Sequence, residues 1–319
     1  MLSHSRAGLA WGLLGVTAFS FTVPFTRVAV AEGGMAPLFI GGGRAVIAAL
    51  LAAAALAFTR QRLPRGVQWA RLAVVAGGVV VGFPVLTSFA LATASAGHSA
   101  VVIALLPAAT AVLAVLRGHE RPPTRFWVLA AVGATAALLF ASVQGAAFSG
   151  LHWSDLLLLG AVLAAGIGYA EGGLLARQLG AWQTISWALV LSSPLMLLLT
   201  LFSMRQHPPT GTPLQWAAFG YLGVVSMFLG FFAWYRGLAV GPMTQVSQVQ
   251  LVQPVLTICW AASFLGEPLT WPVVLGGLTV IAGAGAAVRT RLGRTATGTA
   301  KATAPQRAET PERAGAPRG

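Results

Sequence analysis

Ten stretches of about 20 residues run through this chain almost free of ionisable groups: 8–30, 36–58, 72–92, 98–116, 126–143, 155–176, 182–203, 214–235, 243–265 and 270–288. An α-helix rises 1.5 Å per residue, so about 20 apolar residues cross roughly 30 Å of hydrocarbon. Apart from Asp155, the first residue of the sixth stretch, the ten carry three formal charges, Arg27, Arg44 and Glu171. Only 8 % of the chain is charged, against about 25 % in a soluble domain, which excludes an ordinary water-soluble fold. The pattern predicts an all-α integral membrane protein of ten transmembrane helices. The first stretch is longer than the roughly 7–15 residues of a signal-peptide core and contains Pro24 and Arg27, so it reads as a retained span despite the small residues Ala29, Val30 and Ala31.

The charges outside these stretches are lopsided. Twenty Lys and Arg against seven Asp and Glu give +13, a balance that in a soluble protein would point to nucleic acid. Their placement gives a different meaning. With the N-terminus in the cytoplasm, Arg6, Arg60, Arg62, Arg65, Arg71, Arg117, Arg121, Arg125, Arg177 and Arg236 fall on the inner side and Arg205 alone on the outer. Short-loop Lys/Arg bias sets orientation, so both termini are expected in the cytoplasm and no nucleic-acid partner is implied. The Ala/Gly-rich, Arg-for-Lys composition points to a bacterial cytoplasmic membrane. The single cysteine, Cys259, excludes an intramolecular disulfide and a Cys-ligated zinc cluster. Residues 290–319 are Ala, Thr, Pro and Arg without apolar periodicity, a basic tail expected to be disordered and able to rest on anionic lipid.

The sequence repeats at an ungapped offset of 147 residues. Leu91-Ala92 aligns with Leu238-Ala239, Pro107 with Pro254, Thr110 with Thr257 and Glu120 with Glu267. Two units of five spans follow: an N-terminal arm at 1–7, a first repeat at 8–143, a connecting loop at 144–154, a second repeat at 155–289 and the tail at 290–319. Five is odd, so the second unit enters the membrane upside down. Inverted halves can exchange conformations, the basis of alternating access, with the substrate near the midplane between them.

The residues Tyr221-Leu222-Gly223-Val224-Val225, Trp234-Tyr235-Arg236-Gly237-Leu238-Ala239, Gln253-Pro254 and Gly266-Glu267-Pro268-Leu269-Thr270, followed by a Gly-rich last span, resemble the C-terminal repeat of the EamA family in the drug/metabolite transporter superfamily. The first half resembles the other repeat, with Trp11-Gly12, Arg44, Pro107 and Glu120-Arg121; its His119-Glu120-Arg121-Pro122-Pro123 departs from the usual apolar–polar continuation. The resemblance implies ten helices in two inverted five-helix repeats and transport, commonly export, of amino acids or related small metabolites.

Several residues are candidates for the substrate path. Arg44 lies eight residues, about 12 Å, into its span, where a guanidinium is costly unless paired or facing water. Two roles stay open: an anchor for a substrate carboxylate or phosphate, or a structural arginine capping carbonyls beside Gly41-Gly42-Gly43. The second is favoured because proteins resembling this one carry Arg here while moving different solutes. Glu171, the one acid inside a span, is the proton-coupling candidate, unless a cation such as Arg177 or Arg44 pairs with it. At 100° per residue, Gln245, Gln250, Gln253 and Thr257 share an arc of about 140°, with Gln248 on the next sector; amides do not face lipid, so this face lines a cavity or bonds another helix. Trp11, Tyr169, Trp234 and Tyr235 are aromatic candidates, whereas Trp69, Trp153, Trp182, Trp216 and Trp271 read as an interfacial belt. Pro107 and Pro254, mid-span at matching positions, are candidate kinks and gating elements. Gly8-xxx-Gly12 and Gly78-xxx-Gly82 match the small-residue packing motif.

No nucleophile–base pair or His/carboxylate cluster stands out, and His119-Glu120 lacks the second histidine of a zinc motif, so no catalytic residue, metal or cofactor is expected. A passive pore, or a membrane enzyme or scaffold, remains the alternative to a carrier. The partners implied are a small-molecule substrate and the bilayer, with monomer and homodimer both open.

Overall fold

A computed structural model describes residues 2–31, 34–94, 96–118, 123–125 and 152–265, with isolated positions at 127–135 and 271–282. Among these residues the chain is helical and contains no strand. The first span is α1 (Leu2–Ser20) and α2 (Thr22–Val30), the second α3 (Pro37–Phe58). The third runs through α4 (Val67–Val75), a π-helical turn over Ala76–Gly82 and α5 (Phe83–Thr93). The fourth is broken into α6 (Ala96–Ile103) and α7 (Leu106–Gly118). The sixth and seventh are α8 (Trp153–Leu179) and α9 (Ala181–Gln206). The eighth comprises α10 (Pro213–Tyr221), a second π-helical segment over Leu222–Leu229 and α11 (Gly230–Val240). The ninth is α12 (Met243–Gln248), a 3₁₀ turn over Val249–Leu251 and α13 (Val252–Leu265). The expected fifth and tenth spans, most of the connecting loop and the tail lie outside the described residues.

Six of these helical spans are long and apolar enough to cross a membrane. Their outward faces carry large apolar side chains, such as Leu50, Phe58, Leu163, Leu198 and Phe202, which water would not tolerate in such number and lipid does. The third span starts at Val67, five residues before the expected boundary, which places Arg71 on a helix and not in a loop. A charge at a span end ends the apolar run without ending the helix, because the side chain reaches back to the interface.

The irregular turns recur with the 147-residue offset. The π-helical segment at Ala76–Gly82 corresponds to positions within the one at Leu222–Leu229, and the break between α6 and α7 corresponds to the 3₁₀ turn between α12 and α13. Pro107 is the second residue of α7 and Pro254 the third of α13. In the first turn of a helix the missing N–H has no carbonyl to bond, so each proline starts the second half-helix at little cost.

Glycine governs the closest packing. α1 lies along α11, with Gly8, Gly12 and Gly15 against Gly237, Gly241 and the backbone of Trp234. A Cβ at Gly237 would lie 2.8 Å from the Gly12 nitrogen and 2.9 Å from the Gly8 oxygen. Gly78 and Gly82 meet Ala164 and Gly168 of α8 in the same way. Because the obstacle is backbone, Gly237→Val is expected to lower stability by about 1–3 kcal/mol. Gly220→Ala, where no atom lies within 4 Å of the added methyl, is expected to leave it unchanged; thermal unfolding of the two variants in detergent makes the comparison.

Candidate functional site

The irregular turns converge on one place. A narrow cavity of about 20 Å³, room for one or two water molecules, is walled by Phe19, Thr22 and Val23 around the α1–α2 junction, Arg44 of α3, and Val79, Phe83 and Pro84 of the third span. Leu106 beside the α6–α7 break and Tyr169 of α8 close it on one side; Ser226 and Met227 in the second π-helical segment, Phe231 of α11 and Gln253 of α13 close it on the other. Adjoining it through Val23, Leu106 and Gln253 is a smaller space of about 10 Å³ lined by Ile103, Pro107, Gln250, Pro254 and Thr257. Backbone whose helical hydrogen bonds are interrupted is tolerated at membrane depth only where protein or water shelters it, and both broken helices meet that condition here.

Arg44 is 1 % exposed, its Nη2 donates to Thr87 Oγ1 at 3.5 Å, and its Nε has no hydrogen-bond partner. Gly41, Gly42 and Gly43 just before it let α3 close on Val85, Thr200 and Phe219. Among the described residues no backbone carbonyl accepts from Arg44, which removes the capping role favoured from sequence. Tyr169 stands in an aromatic cluster, its ring 6.5 Å from Phe19, 6.0 Å from Phe231 and 5.2 Å from Trp234. Thr22 and Ser226 share a hydroxyl–hydroxyl bond of 2.8 Å across the cavity wall.

The other candidates divide. Gln253 lines both spaces and Gln250 the smaller one, where neither of its amide atoms has a hydrogen-bond partner. Gln245 and Gln248 are buried but reach neither space. Thr257 donates to the Ser20 carbonyl at 2.9 Å and so ties α13 to α1. Trp234 and Tyr235 are fully buried in the core, and the Tyr235 hydroxyl donates to the Gly168 carbonyl at 3.0 Å, pinning α11 to α8. Trp11 is 43 % exposed and reaches neither space: its neighbours Gly12 and Gly15 bring α1 into backbone contact with α11, leaving no gap between them for an indole.

Glu171 has partners that the sequence did not indicate. Its Oε2 accepts from Arg117 Nη2 at 2.7 Å and Nε at 3.2 Å, and its Oε1 accepts from Arg71 Nε. The expected partners, Arg177 and Arg44, are elsewhere: Arg177 Nη2 donates to the carbonyls of Leu238 and Gly241 at the end of α11. The carboxylate therefore joins the start of α4, the end of α7 and α8 at one end of the bundle. Arg27, noted in the sequence only as a charge, donates to the carbonyls of Leu91 at 2.9 Å and Ala92 at 3.4 Å, capping the end of α5 at the other.

A helical bundle with a lipid-facing exterior, whose broken helices shelter an interior cavity with one cation among its described lining residues, is the frame of a membrane transporter. The chain belongs to the EamA-like transporter family, whose model matches it twice, over residues 6–142 and 152–289. It is 44 % identical over 288 residues to the uncharacterized transporter YdeK of Bacillus subtilis (strain 168), covering 88 % of this chain and 96 % of that protein. A protein solved by crystallography shares the fold with a TM-score of 0.69 at 16 % identity, over 89 % of this chain and 98 % of the other.

Glu171 is 2 % exposed, whereas the Arg117 side chain is 60 % exposed, so the network lies between a surface pair and a buried one. Glu171→Gln is expected to lower stability by about 1–3 kcal/mol and Arg117→Ala by less, read as unfolding temperature in detergent.

Proposed function

We propose that the protein is a secondary carrier, not an enzyme, that moves small organic metabolites, amino acids or related compounds, by alternating access, with export as the physiological direction. The observation that carries this reading is the convergence of repeat-related helix breaks on a single cavity. Inverted five-span units would bring equivalent breaks together at the midplane, where the backbone can rearrange without exposing unpaired groups to lipid. The recurrence of the π-helical segments and of the broken fourth and ninth spans at the repeat offset supports ten spans in two inverted units. Pro107 and Pro254, which both line the smaller space, serve as the gating elements.

In the orientation set by the arginine bias, with both termini in the cytoplasm, Glu171, Arg71 and Arg117 latch the cytoplasmic ends of α8, α4 and α7. Arg71 and Arg117 hold Glu171 ionised while the latch is closed, so a proton reaches the carboxylate only when these bonds part, and its uptake then keeps the latch open and couples opening to the proton gradient. Glu171→Gln fixes the uncharged form. The variant is expected to retain counterflow and to lose the response of flux to an imposed pH gradient in proteoliposomes; an unchanged response would remove Glu171 from the coupling.

Reconstitution tests the carrier itself. Saturable uptake and counterflow of a labelled amino acid or related metabolite are expected, whereas a pore would give conductance without counterflow. Gln253→Leu, in the wall of the cavity, is expected to cut flux at least about tenfold at normal protein level. Gln245→Leu, buried away from the cavity, is expected to lower protein level and flux together.

A further inference from the structure

The cavity carries a positive charge that no described residue of its wall balances. Arg44 offers five N–H donors in a fixed fork, and the structure gives them one neutral partner, Thr87 Oγ1 at 3.5 Å. That hydroxyl already donates to the Phe83 carbonyl at 2.6 Å. The acidic groups described within the spans are engaged elsewhere: Asp155 accepts from the His152 backbone at the start of α8, and Glu171 is held by Arg71 and Arg117. A guanidinium that is 1 % exposed, with its Nε unpartnered, persists in a bundle when something it binds or admits offsets the cost.

The surroundings narrow what that is. Among the described residues that line it the cavity holds one cation, so a monoanion balances it, while a dicarboxylate or a phosphate monoester would bring a second charge with no partner among them. None of the described lining residues is acidic, so an ammonium group would find no counter-charge among them. The hydroxyls of Thr22 and Ser226 and the amide of Gln253 are the other polar groups on the wall, and Phe19, Tyr169 and Phe231 present rings to the remainder. We propose that this cavity, widened when the helices around it part, binds a small monocarboxylate with an apolar or aromatic body, its carboxylate on the Arg44 fork and its body against the ring wall. This rests on the carrier reading only for the acid being cargo, and it narrows the substrate from amino acids at large to acids in which the carboxylate, not the amino group, is the recognised end. A bidentate guanidinium–carboxylate contact supplies both charge balance and orientation.

The experiment compares isosteres on purified full-length protein. Binding of 3-phenylpropanoate, 3-phenylpropanamide and phenylalanine is measured by calorimetry and by thermal stabilisation. The acid is expected to bind about tenfold or more tightly than the amide, with phenylalanine weaker than the acid, because only the acid offers a charged acceptor without an unmet ammonium. Arg44→Gln is expected to erase the difference between acid and amide, and Arg44→Lys to restore part of it. The wild-type comparison does not depend on either variant folding. Equal binding of acid and amide, binding of neither, or tighter binding of phenylalanine overturns the proposal. Counterflow in proteoliposomes separates this from the carrier reading: acid binding without counterflow removes the carrier and leaves the site, whereas counterflow with no preference for the acid removes the site and leaves the carrier.

Discussion

Inside a bilayer a backbone N–H or C=O has no water to turn to, and that one requirement organises this molecule. Straight helices satisfy it by themselves. The π-helical segments over Ala76–Gly82 and Leu222–Leu229 and the breaks before Pro107 and Pro254 do not, and each is turned inward, against other helices and the cavity. The site is therefore placed by the cost of unpaired backbone in lipid as much as by its side chains. The same requirement explains why buried hydroxyls such as Ser192, Thr110 and Ser88 return their protons to carbonyls four residues back in their own helices.

Two kinds of polar contact hold the bundle around that cavity, and they differ in what breaking them costs. The Thr22–Ser226 pair and the Thr257–Ser20 contact are neutral and local to the cavity wall. The Glu171 network is ionic and joins three separated spans at one end of the bundle. A neutral bond exchanged for another of its kind changes little free energy, while a separated buried ion pair leaves charge uncompensated. The contacts at the cavity wall thus cost less to exchange than those that fasten one end of the bundle.

The class of fold was legible in the apolar runs, because only their length and the scarcity of charge are needed to read it. Arg44 was legible as a deep charge, and Tyr169 and Gln253 as inward-facing groups. Periodicity on a single helix does not say which neighbour covers its face, so the glutamines of the ninth span looked alike, yet Gln253 meets the cavity and Gln245 does not. The break at Val249–Leu251 also rotates the two halves of that span relative to each other, which a constant 100° per residue ignores. Arg71 was hidden by treating a charge as a helix boundary. Its link to Glu171, 100 positions away, has no local trace in the sequence. The π-helical segments carry weak punctuation in Gly77-Gly78, Gly82, Gly223 and Gly230, too common a residue in this chain for that to be decisive.

The glycine contact between α1 and α11 joins helices drawn from the two segments that the family model matches separately. Helices that interlock through large side chains have their register fixed by every knob seated in a hole. Here Gly8 and Gly12 meet Gly237 and Gly241, and Gly15 meets the backbone of Trp234. Such a seam holds the two segments together through backbone contact alone, so its closeness is set by what these positions lack, and any side chain added along it would force the helices apart.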